Sequence, residues 1–532
     1  MNDPRSIYAR RVERLAGATA PLFAGNRVGL EKEGLRVSAG GQLAATPHPA
    51  ALGAALTHPY ITTDFSEALL ELITPALTSA EEALDFLADL HAHVHHHLDD
   101  ELLWATSMPC VLEGGRRIPL ARYGCSNAAR MKTVYRRGLG NRYGRTMQVI
   151  AGIHYNFSFG EGFWDRLQAI EGERGDPRAF RDRMQMGMLR NLQRIGWLVP
   201  YLFGASPAIC ASFVQGQETD LEYFDDTTLY YPYATSLRMG DIGYQNQQEE
   251  GTGIKASYDS LAEYVRTLTW AIETPCPEYQ RIGVKVGDRY EQLNANVLQI
   301  ENEYYSTVRP KQLTEWMERP TLALARRGIR YVELRSPDID VFEPTGAGLA
   351  QLHFMELLML HCVLAESPLI DAAERRAIDT NLVLTAHRGR EPGLTLVRAG
   401  RETRLRDWAE ELLDRFAALA VLLDGCEDGP RAASLRAQRD KVADADATPS
   451  ARVLAEMRAH GEGFFAFAQR MSNAHRAYFQ QRRPSAAHQA LFERLAHDSH
   501  QQQHALEAAE EESFDDFLAR YFAQGREDGR SS

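Results

Sequence analysis

The stretch Val28–Val37 most constrains how this chain can fold, because it reads V-G-L-E-K-E-G-L-R-V and sets Glu31 and Glu33 in a largely apolar run. We predict a β-strand over Arg27–Ala39, in which residues two apart point to the same face of a sheet. Two carboxylates side by side on one face repel each other and resist burial. Either this is an exposed edge strand with solvated glutamates, or a cationic partner lies opposite them, as a Lys/Arg pair or a metal ion.

Three more segments alternate in a similar way, and each places polar side chains on one face of a predicted strand. These segments are Tyr60–Pro75, Gln148–Phe159 and Tyr331–Ile339. Their polar members are Asp64, Glu71, His154, Asn156, Glu333 and Arg335. If the strands share one sheet, one face gathers five carboxylates, an imidazole, an amide and an arginine. The opposite face is mostly apolar and can pack against helices, which indicates a mixed or antiparallel sheet with a polar concave side.

This concentration of negative charge requires cations. An oxygen-dominated ligand set with one histidine suits Mg²⁺ or Mn²⁺ better than zinc. Magnesium commonly bridges carboxylates to nucleotide phosphates, and an arginine on the same face would stabilise a transferring phosphoryl group. The segment Arg130–Arg145 supplies further cations suited to carboxylate or phosphate recognition. They are Lys132, Arg136, Arg137, Arg142 and Arg145.

Composition excludes several other classes of protein. A formal net charge of −13 argues against nucleic acid and against anionic membrane surfaces as partners. Six cysteines without C-x-x-C spacing predict free thiols in a reducing cytoplasm rather than a zinc site or a disulfide scaffold. The start of the sequence has no apolar segment typical of a secretory signal. The uncharged run Ile195–Gln217 is long enough to span a bilayer, but Pro200 and Pro207 interrupt it, and we predict buried core.

Nucleotide-binding loops of the common kinds are missing from the sequence. It contains no G-x-x-x-x-G-K-[ST], the G-x-G sequences at Gly251 and Gly346 lack the third glycine of a dinucleotide fingerprint, and no G-x-S-x-G is present.

The remaining elements follow from periodicity. Alternation predicts a strand over Leu293–Tyr305, and residues 403–524 are expected to form helices with a loop at Asp444–Pro449. Earlier helices are expected at Pro4–Ala20, Ser79–Leu103, Phe180–Trp197, Ser257–Thr274 and Leu349–Leu364. We therefore divide the chain into a core at 1–400, a helical C-terminal part of the same unit at 401–524 and a disordered tail at 525–532.

A cluster of five histidines in His91–His97 is a competing metal-site candidate. His93 and His97 are four apart, as metal ligands on one helix face can be. Val94 and Leu98 lie on the predicted buried stripe, however, so we expect most of the histidines on the solvated side of the helix.

Long motifs in this chain resemble the proteobacterial glutamate–cysteine ligases. The matching stretches run from about residue 28 to residue 396 and include G-L-E-K-E-G-L-R-V, T-T-D-F-S-E-A-L-L-E-L-I-T-P, R-Y-G-C-S-N, K-T-V-Y-R-R-G-L, G-I-H-Y-N-F-S, Y-A-T-S-L-R, N-V-L-Q-I-E-N-E-Y-Y, R-P-K and Y-V-E-L-R-S-P-D-I. The resemblance implies an α+β, glutamine-synthetase-like catalytic fold, in which an antiparallel sheet curves around the active site with helices outside it.

The resemblance also implies an activity, the first step of glutathione biosynthesis. ATP, L-glutamate and L-cysteine would give γ-glutamylcysteine, ADP and phosphate through an acyl phosphate on the γ-carboxylate. The implied cofactor is Mg²⁺, with Mn²⁺ as a possible replacement. The expected protein is cytoplasmic and monomeric, with no nucleic-acid or membrane partner, and feedback by glutathione is plausible.

Residue roles carry over by position in these motifs. The implied metal ligands are Glu31, Glu33, Asp64, Glu71, His154 and Glu333. Arg335 would stabilise the transferring phosphoryl group, and Arg238 would bind a substrate carboxylate. The implied cysteine pocket is formed by Phe65, Tyr135, Leu139, Gln148, Ile150, Tyr244 and Tyr305. Lys132 and Asn156 are expected near the nucleotide or its phosphates.

Two other functions are compatible with these residues. A γ-glutamyl ligase with a different amine acceptor would share the acidic set. Only the aromatic residues of the pocket would determine specificity for cysteine. A catalytically silent binding protein is the second alternative, although it would have little need to retain every ligand together with Arg335.

Overall fold

A seven-stranded antiparallel sheet lies at the centre of the molecule, in a computed structural model that describes residues 6–17, 22–109, 112–214, 218–242 and 254–525. Its strands are β1 (Arg27–Val37), β2 (Ile61–Thr63), β3 (Leu69–Ile73), β4 (Leu102–Leu103), β5 (Ile153–Ser158), β11 (Val308–Lys311) and β12 (Tyr331–Leu334). The other strands form small separate sheets: β6 (Ala208–Cys210), β7 (Glu222–Asp225), β8 (Thr228–Tyr230), β9 (Lys285–Val286), β10 (Arg289–Tyr290), β13 (Thr395–Arg398) and β14 (Arg401–Arg404).

The order of the large sheet is β11–β12–β5–β1–β3–β2, and β4 pairs with the far end of β1. β1 is therefore an interior strand, and the interpretation of Glu31 and Glu33 as solvated residues on an exposed edge is wrong. The true edges are short: β2 has three residues and β11 carries Pro310, which cannot donate to a further strand.

Helices cover the apolar face of this sheet. The helices are α1 (Ile7–Ala16), α2 (Ala80–His95), α3 (Asn127–Tyr143), α4 (Glu161–Glu171), α5 (Pro177–Ile195), α6 (Leu198–Phe203), α7 (Leu261–Glu273), α8 (Pro277–Ile282), α9 (Pro320–Arg327), α10 (Leu349–Leu364), α11 (Ala372–Arg388), α12 (Leu405–Asp424), α13 (Pro430–Ala443), α14 (Pro449–His460), α15 (Phe464–Gln481), α16 (Ala486–Ala508) and α17 (Phe514–Ala523). α2 packs on β1 and β3, α10 on β5 and α5 on β11. α10 is buried from Gln351 to its end, which explains its almost uniformly apolar sequence.

The C-terminal helices pack on the sheet-bearing part rather than apart from it. α15 and α16 contact α2, α13 contacts α10, and α17 contacts α3. A two-stranded hairpin, β13–β14, precedes them, and Ala399 and Gly400 both have positive φ at its turn. The division of the chain near residue 400 stays a prediction, and of the predicted tail only Gly525 lies within the described residues.

The predicted strand at Leu293–Tyr305 is wrong. This segment is irregular and ends in a 3₁₀ turn over Glu301–Glu303. Its own side chains bind its backbone: Gln299 Oε1 accepts from the Leu293 amide at 3.0 Å, and Glu303 Oε2 accepts from the Gln299 amide at 2.6 Å. Local bonds of this kind replace the ladder hydrogen bonds that a strand would need.

The helix predicted over Ser79–Leu103 is too long. It ends at His95, the chain turns through Asp99 at a φ of 46°, and Leu102–Leu103 pairs with β1 as a strand.

The expected exposure of the histidine cluster is also wrong. His91, His93 and His95 are buried because α2 lies between the sheet and helices α15 and α16. His95 stacks on Phe479 at 5.1 Å, and burial lowers its pKa to about 3. Within the described part of the chain, these histidines form no three-ligand cluster of the kind that holds a metal. They are neutral core side chains.

The uncharged run Ile195–Gln217 contributes the end of α5, helix α6 and strand β6, and its residues 198–210 are buried, as predicted. Among the described residues, no helix is both long and apolar enough to cross a membrane. Five of the cysteines are free thiols, and Cys110 lies outside the described residues.

Candidate active site

Three side chains from neighbouring strands form a compact acidic centre on the polar face of the large sheet. Glu31 on β1 lies directly opposite His154 on β5, and Asn156 on β5 lies opposite Glu333 on β12. His154 Nδ1 is 3.1 Å from Glu31 Oε2 and 3.7 Å from Glu333 Oε1. One ligand atom from each of Glu31, His154 and Glu333 lies within 4.8 Å of the others. Asn156 Nδ2 donates to Glu31 Oε1 at 2.9 Å and holds it in place.

Further carboxylates continue this face toward β3. Glu33 and Glu71 are cross-strand partners, and Glu33 Oε1 lies 4.0 Å from His154 Nε2. Burial raises the pKa of Glu33. Burial together with the charges of Glu31, Asp64 and Glu33 raises the pKa of Glu71 well above its ordinary value. The carboxylates therefore crowd each other here, which is the condition under which a cation binds favourably.

The protein's own cations act most strongly at the Glu333 end of the cluster. Arg335 Nη1 donates to Glu333 Oε1 at 2.9 Å, and Lys311 Nζ lies 3.5 Å from Glu333 Oε2. Burial acts to raise the pKa of Glu333, but Lys311 and Arg335 outweigh it and hold the pKa far below its usual range. Lys32 contributes nothing to this face, because it lies opposite Leu72 and Ile153 on the apolar side. Burial lowers its pKa to about 7.

The donor set fits a hard divalent cation. Glu333 Oε2 is buried without a hydrogen-bond partner in the described part of the chain. A buried carboxylate oxygen in this state is costly unless a positive charge compensates it. Carboxylates with one imidazole are typical of Mg²⁺ and Mn²⁺ sites.

Arg238 is held rigidly beside this centre. Its guanidinium donates to the carbonyl oxygens of Arg335 at 2.8 Å and Ser336 at 3.1 Å, and it lies 3.6 Å from buried Asp338. Its Nε has no hydrogen-bond partner among the described residues. A Cβ at Gly152 would lie 2.1 Å from Arg238 Nη2, so the absence of a side chain there makes room for the guanidinium. The Gly152 amide also donates to Glu33 Oε2 at 2.7 Å.

The two neighbouring tyrosines have different surroundings. Tyr304 is buried, and its hydroxyl accepts from the Ala256 amide at 3.1 Å. The Tyr305 hydroxyl lies 3.9 Å from Met239 Sδ, and the charges of Arg238 and Arg335 oppose the rise in its pKa that burial causes. Tyr305 therefore faces the arginines and Tyr304 faces the core. Tyr244 lies outside the described residues.

Helix α3 approaches the acidic face from the other side. Tyr135 and Leu139 are one turn apart on it, and Phe65 lies beside Gly140. Leu139 packs against the apolar cluster that contains Phe65 and Ile150, and Gln148 is buried in the turn before Ile150. Only part of the predicted pocket is thus brought together here.

The five cations named in the segment Arg130–Arg145 divide into two groups. Arg136 Nη2 lies 3.6 Å from Asp64 Oδ1, and Lys132 lies over the Tyr123 ring at 5.1 Å. Burial lowers the pKa of Lys132 to about 8, and the charge of Glu71 opposes this change. The other three arginines serve structural contacts: Arg142 pairs with buried Glu303, Arg137 donates to the Tyr290 carbonyl, and Arg145 donates to the Ile118 carbonyl. A role for these three in substrate recognition stays a prediction.

Sequence reasoning missed two positions at this site. Lys311 belongs to the quoted R-P-K motif, and alternation along β11 places it on the same face as Arg309, which lies opposite Glu333. That periodicity was a usable signal. Gly152 has no such signal, because its closeness to Arg238 arises only when two distant segments meet.

Comparisons with known proteins identify the family of the chain. Residues 13–384 match the sequence profile of the glutamate–cysteine ligase family. Glutamate–cysteine ligases from Alcanivorax borkumensis and Pseudomonas aeruginosa are 47% and 48% identical to this chain, over 96% and 97% of its length and 99% and 98% of theirs.

Solved structures show the same fold. A Francisella tularensis glutamate–cysteine ligase in complex with AMP superposes with a TM-score of 0.88 at 36% identity, over 95% of this chain and 99% of that one. A bifunctional glutathione synthetase from Pasteurella multocida has a TM-score of 0.72 at 24% identity, over 92% of this chain and 58% of that one, and shows a shared fold alone. The predicted α+β fold is confirmed, and the chain belongs to the glutamate–cysteine ligase family.

Proposed function

We propose that this protein ligates L-cysteine to the γ-carboxylate of L-glutamate at the expense of ATP, giving γ-glutamylcysteine, ADP and phosphate. The observation that carries the proposal is the acidic centre of Glu31, His154 and Glu333 with Arg335 against it. Family membership supports the choice of substrates, because relatives at 47–48% identity carry the name glutamate–cysteine ligase.

The reaction needs activation of a poor electrophile. The γ-carboxylate of glutamate attacks the γ-phosphate of ATP and forms γ-glutamyl phosphate, with ADP as the leaving group. The amine of cysteine then attacks the acyl carbon, loses a proton and expels phosphate. The enzyme's task is to bring two anions together and to hold donor and acceptor in line.

The acidic set would hold Mg²⁺, or Mn²⁺ in its place, and the bound ion would supply positive charge to the phosphates of ATP. The proposed ligands are Glu31, Glu33, Asp64, Glu71, His154 and Glu333. The AMP complex of the Francisella relative supports a nucleotide site in this fold.

The remaining roles belong to the protein's own side chains. Arg335 offers a fixed positive charge at the acidic centre, where the transferring phosphoryl group carries negative charge. Arg238, held beside the acidic centre by backbone carbonyls, would bind a substrate carboxylate through its guanidinium. The proposed cysteine pocket comprises Phe65, Tyr135, Leu139, Gln148, Ile150, Tyr244 and Tyr305. Lys132 and Asn156 would lie near the nucleotide.

Three finer properties belong to the same proposal. The protein would act in the cytoplasm as a monomer, and glutathione, the end product of the pathway, would inhibit it.

Phosphate release tests the proposal directly. We expect release only when ATP, Mg²⁺, glutamate and cysteine are all present. Equal turnover with alanine or 2-aminobutyrate would contradict the choice of cysteine and favour a γ-glutamyl ligase with another acceptor. Binding of ATP without phosphate release under any combination would indicate the catalytically silent alternative.

Substitution of Gly152 by alanine is expected to raise the KM for the amino acid whose carboxylate Arg238 binds. The new methyl group would lie 2.1 Å from Arg238 Nη2 and would displace the guanidinium. Overpacking of this kind typically costs roughly 1–3 kcal/mol, so we expect a rise in KM of about tenfold. KM is measured for glutamate and cysteine separately.

Gly162→Ala is the matched control for Gly152→Ala. Gly162 is exposed in the first turn of α4, and no atom lies within 4 Å of its added Cβ. This control should leave both KM values unchanged. An unchanged KM for both amino acids in Gly152→Ala would remove the link between Gly152 and Arg238.

A further inference from the structure

Lys311 is a further cation on the polar face of the large sheet, beside Glu333. It ends β11, the edge strand of the large sheet, two residues after Arg309 and therefore on the same face. The Lys311 side chain is 28% exposed to solvent, whereas the side chain of its ion-pair partner Glu333 is 1% exposed. The lysine thus lies at the open border of the acidic centre, between solvent and a buried carboxylate.

The neighbouring arginines are engaged more fully than Lys311. Arg309 donates to the carbonyl oxygens of Asn302 and Tyr304. Arg335 donates to Glu333 Oε1 and lies 3.4 Å from His154 Nδ1. Within the described residues, Lys311 has a single polar partner, Glu333 Oε2 at 3.5 Å, and that distance is too long for a strong hydrogen bond.

The Lys311 ammonium and a divalent cation would compete for the negative charge of Glu333 Oε2. This oxygen accepts no hydrogen bond from the described residues, and the Lys311 ammonium lies 3.5 Å from it. Once a cation binds Glu333, the ammonium faces a second positive charge and is repelled. A lysine has a flexible four-carbon stem, so the ammonium can leave while the strand stays in place.

We propose that Lys311 binds the phosphates of ATP, and that without nucleotide it instead pairs with Glu333 and competes there with the divalent cation. The inference rests on the proposed function, because that function brings ATP and a cation to this face. Carboxylate-bound magnesium commonly contacts nucleotide phosphates as well, so the phosphates would arrive next to the displaced ammonium. Lysine commonly binds phosphates through its compact positive charge. Because β11 is an edge strand, Lys311 has room to reach the phosphates of ATP.

The test uses Lys311→Met, which keeps most of the side-chain length and removes the charge. Two effects of opposite sign are expected, and a merely structural role would not produce them together. Binding of Mn²⁺ alone to the nucleotide-free protein, followed by electron paramagnetic resonance, should tighten roughly three- to tenfold, because a competing charge is gone. Binding of ATP in the presence of Mg²⁺, followed by calorimetry without amino acids, should weaken by about tenfold or more, because a phosphate contact is lost.

Two variants serve as controls. Lys311→Arg keeps the charge and should retain most of the ATP affinity. Lys285→Met removes an exposed lysine that pairs with Asp515 at 3.8 Å, away from the large sheet, and should change neither Mn²⁺ nor ATP binding.

Unchanged or weaker Mn²⁺ binding in Lys311→Met would overturn the competition with the cation. Unchanged ATP binding would overturn the phosphate contact, and either result contradicts the proposal. Both measurements are equilibrium binding experiments and require no ligase turnover. They therefore stay interpretable if the phosphate-release assay shows that the proposed acceptor is incorrect.

Discussion

Glu333→Gln is expected to lower kcat/KM by roughly 10²- to 10³-fold, because the charge stabilisation that a bound cation supplies is worth several kcal/mol. Glu333 is the most deeply buried carboxylate of the acidic centre and lies against His154, Arg335 and Lys311. Glutamine keeps its shape but removes its charge. The cation then loses a ligand and also faces two positive side chains whose counterion is gone. Mn²⁺ affinity should therefore fall together with turnover.

The measurement is a Mn²⁺ titration of the free protein, combined with the KM for MgATP. Glu222→Gln is the matched control, because Glu222 is exposed on β7, outside the large sheet. The midpoint of thermal unfolding for both variants shows whether the fold is retained. If Glu333→Gln bound Mn²⁺ as tightly as the unaltered protein, Glu333 would not be a metal ligand.

Arg335→Ala is expected to lower kcat by about 10²- to 10³-fold while the KM values change only a few-fold, as is typical when a preorganised charge at the reacting group is removed. Burial opposes the charge of Arg335, but Glu333, Glu33 and Glu31 outweigh it and keep its pKa above the ordinary value, so the guanidinium stays charged. Its Nε is buried without a hydrogen-bond partner among the described residues, while the side chain as a whole is 19% exposed to solvent. A charge placed in this way acts mainly on the transition state, where phosphoryl charge is redistributed.

Arg335→Lys separates charge from geometry. A lysine keeps the charge but loses the planar fork, so we expect an intermediate kcat. Mn²⁺ binding is a second readout, because Arg335→Ala removes a cation from Glu333 and should not weaken the affinity for the metal. An unchanged kcat in Arg335→Ala would exclude the phosphoryl-stabilising role.

Much of the acidic face could be predicted from alternation alone. Strand residues two apart share a face, so Glu31 with Glu33 and Glu333 with Arg335 follow from their spacing. Placement of Glu31 opposite His154 does not follow from spacing, because it depends on the register between β1 and β5. The resemblance to the glutamate–cysteine ligases supplied the expectation that these strands converge.

The wrong predictions have physical causes that alternation and polarity along the sequence do not reveal. Leu293–Tyr305 alternates like a strand, but Gln299 and Glu303 bind the segment's own backbone. Histidine is a polar residue, and its polarity favoured an exposed position for the histidines of α2. Two further helices nevertheless cover them. In both cases long-range packing or side-chain capping outweighed the local pattern.

The sequence by itself determined the alternating acidic strands, the helices that cover their apolar side and the family to which the chain belongs. These features depend on local periodicity and on motifs read along the chain. Only the tertiary structure decided that Lys311 faces Glu333 and that Gly152 leaves space for Arg238. Such pairings join residues about 20 to 90 positions apart, and the strand register and chain crossings that create them exist only in the folded molecule.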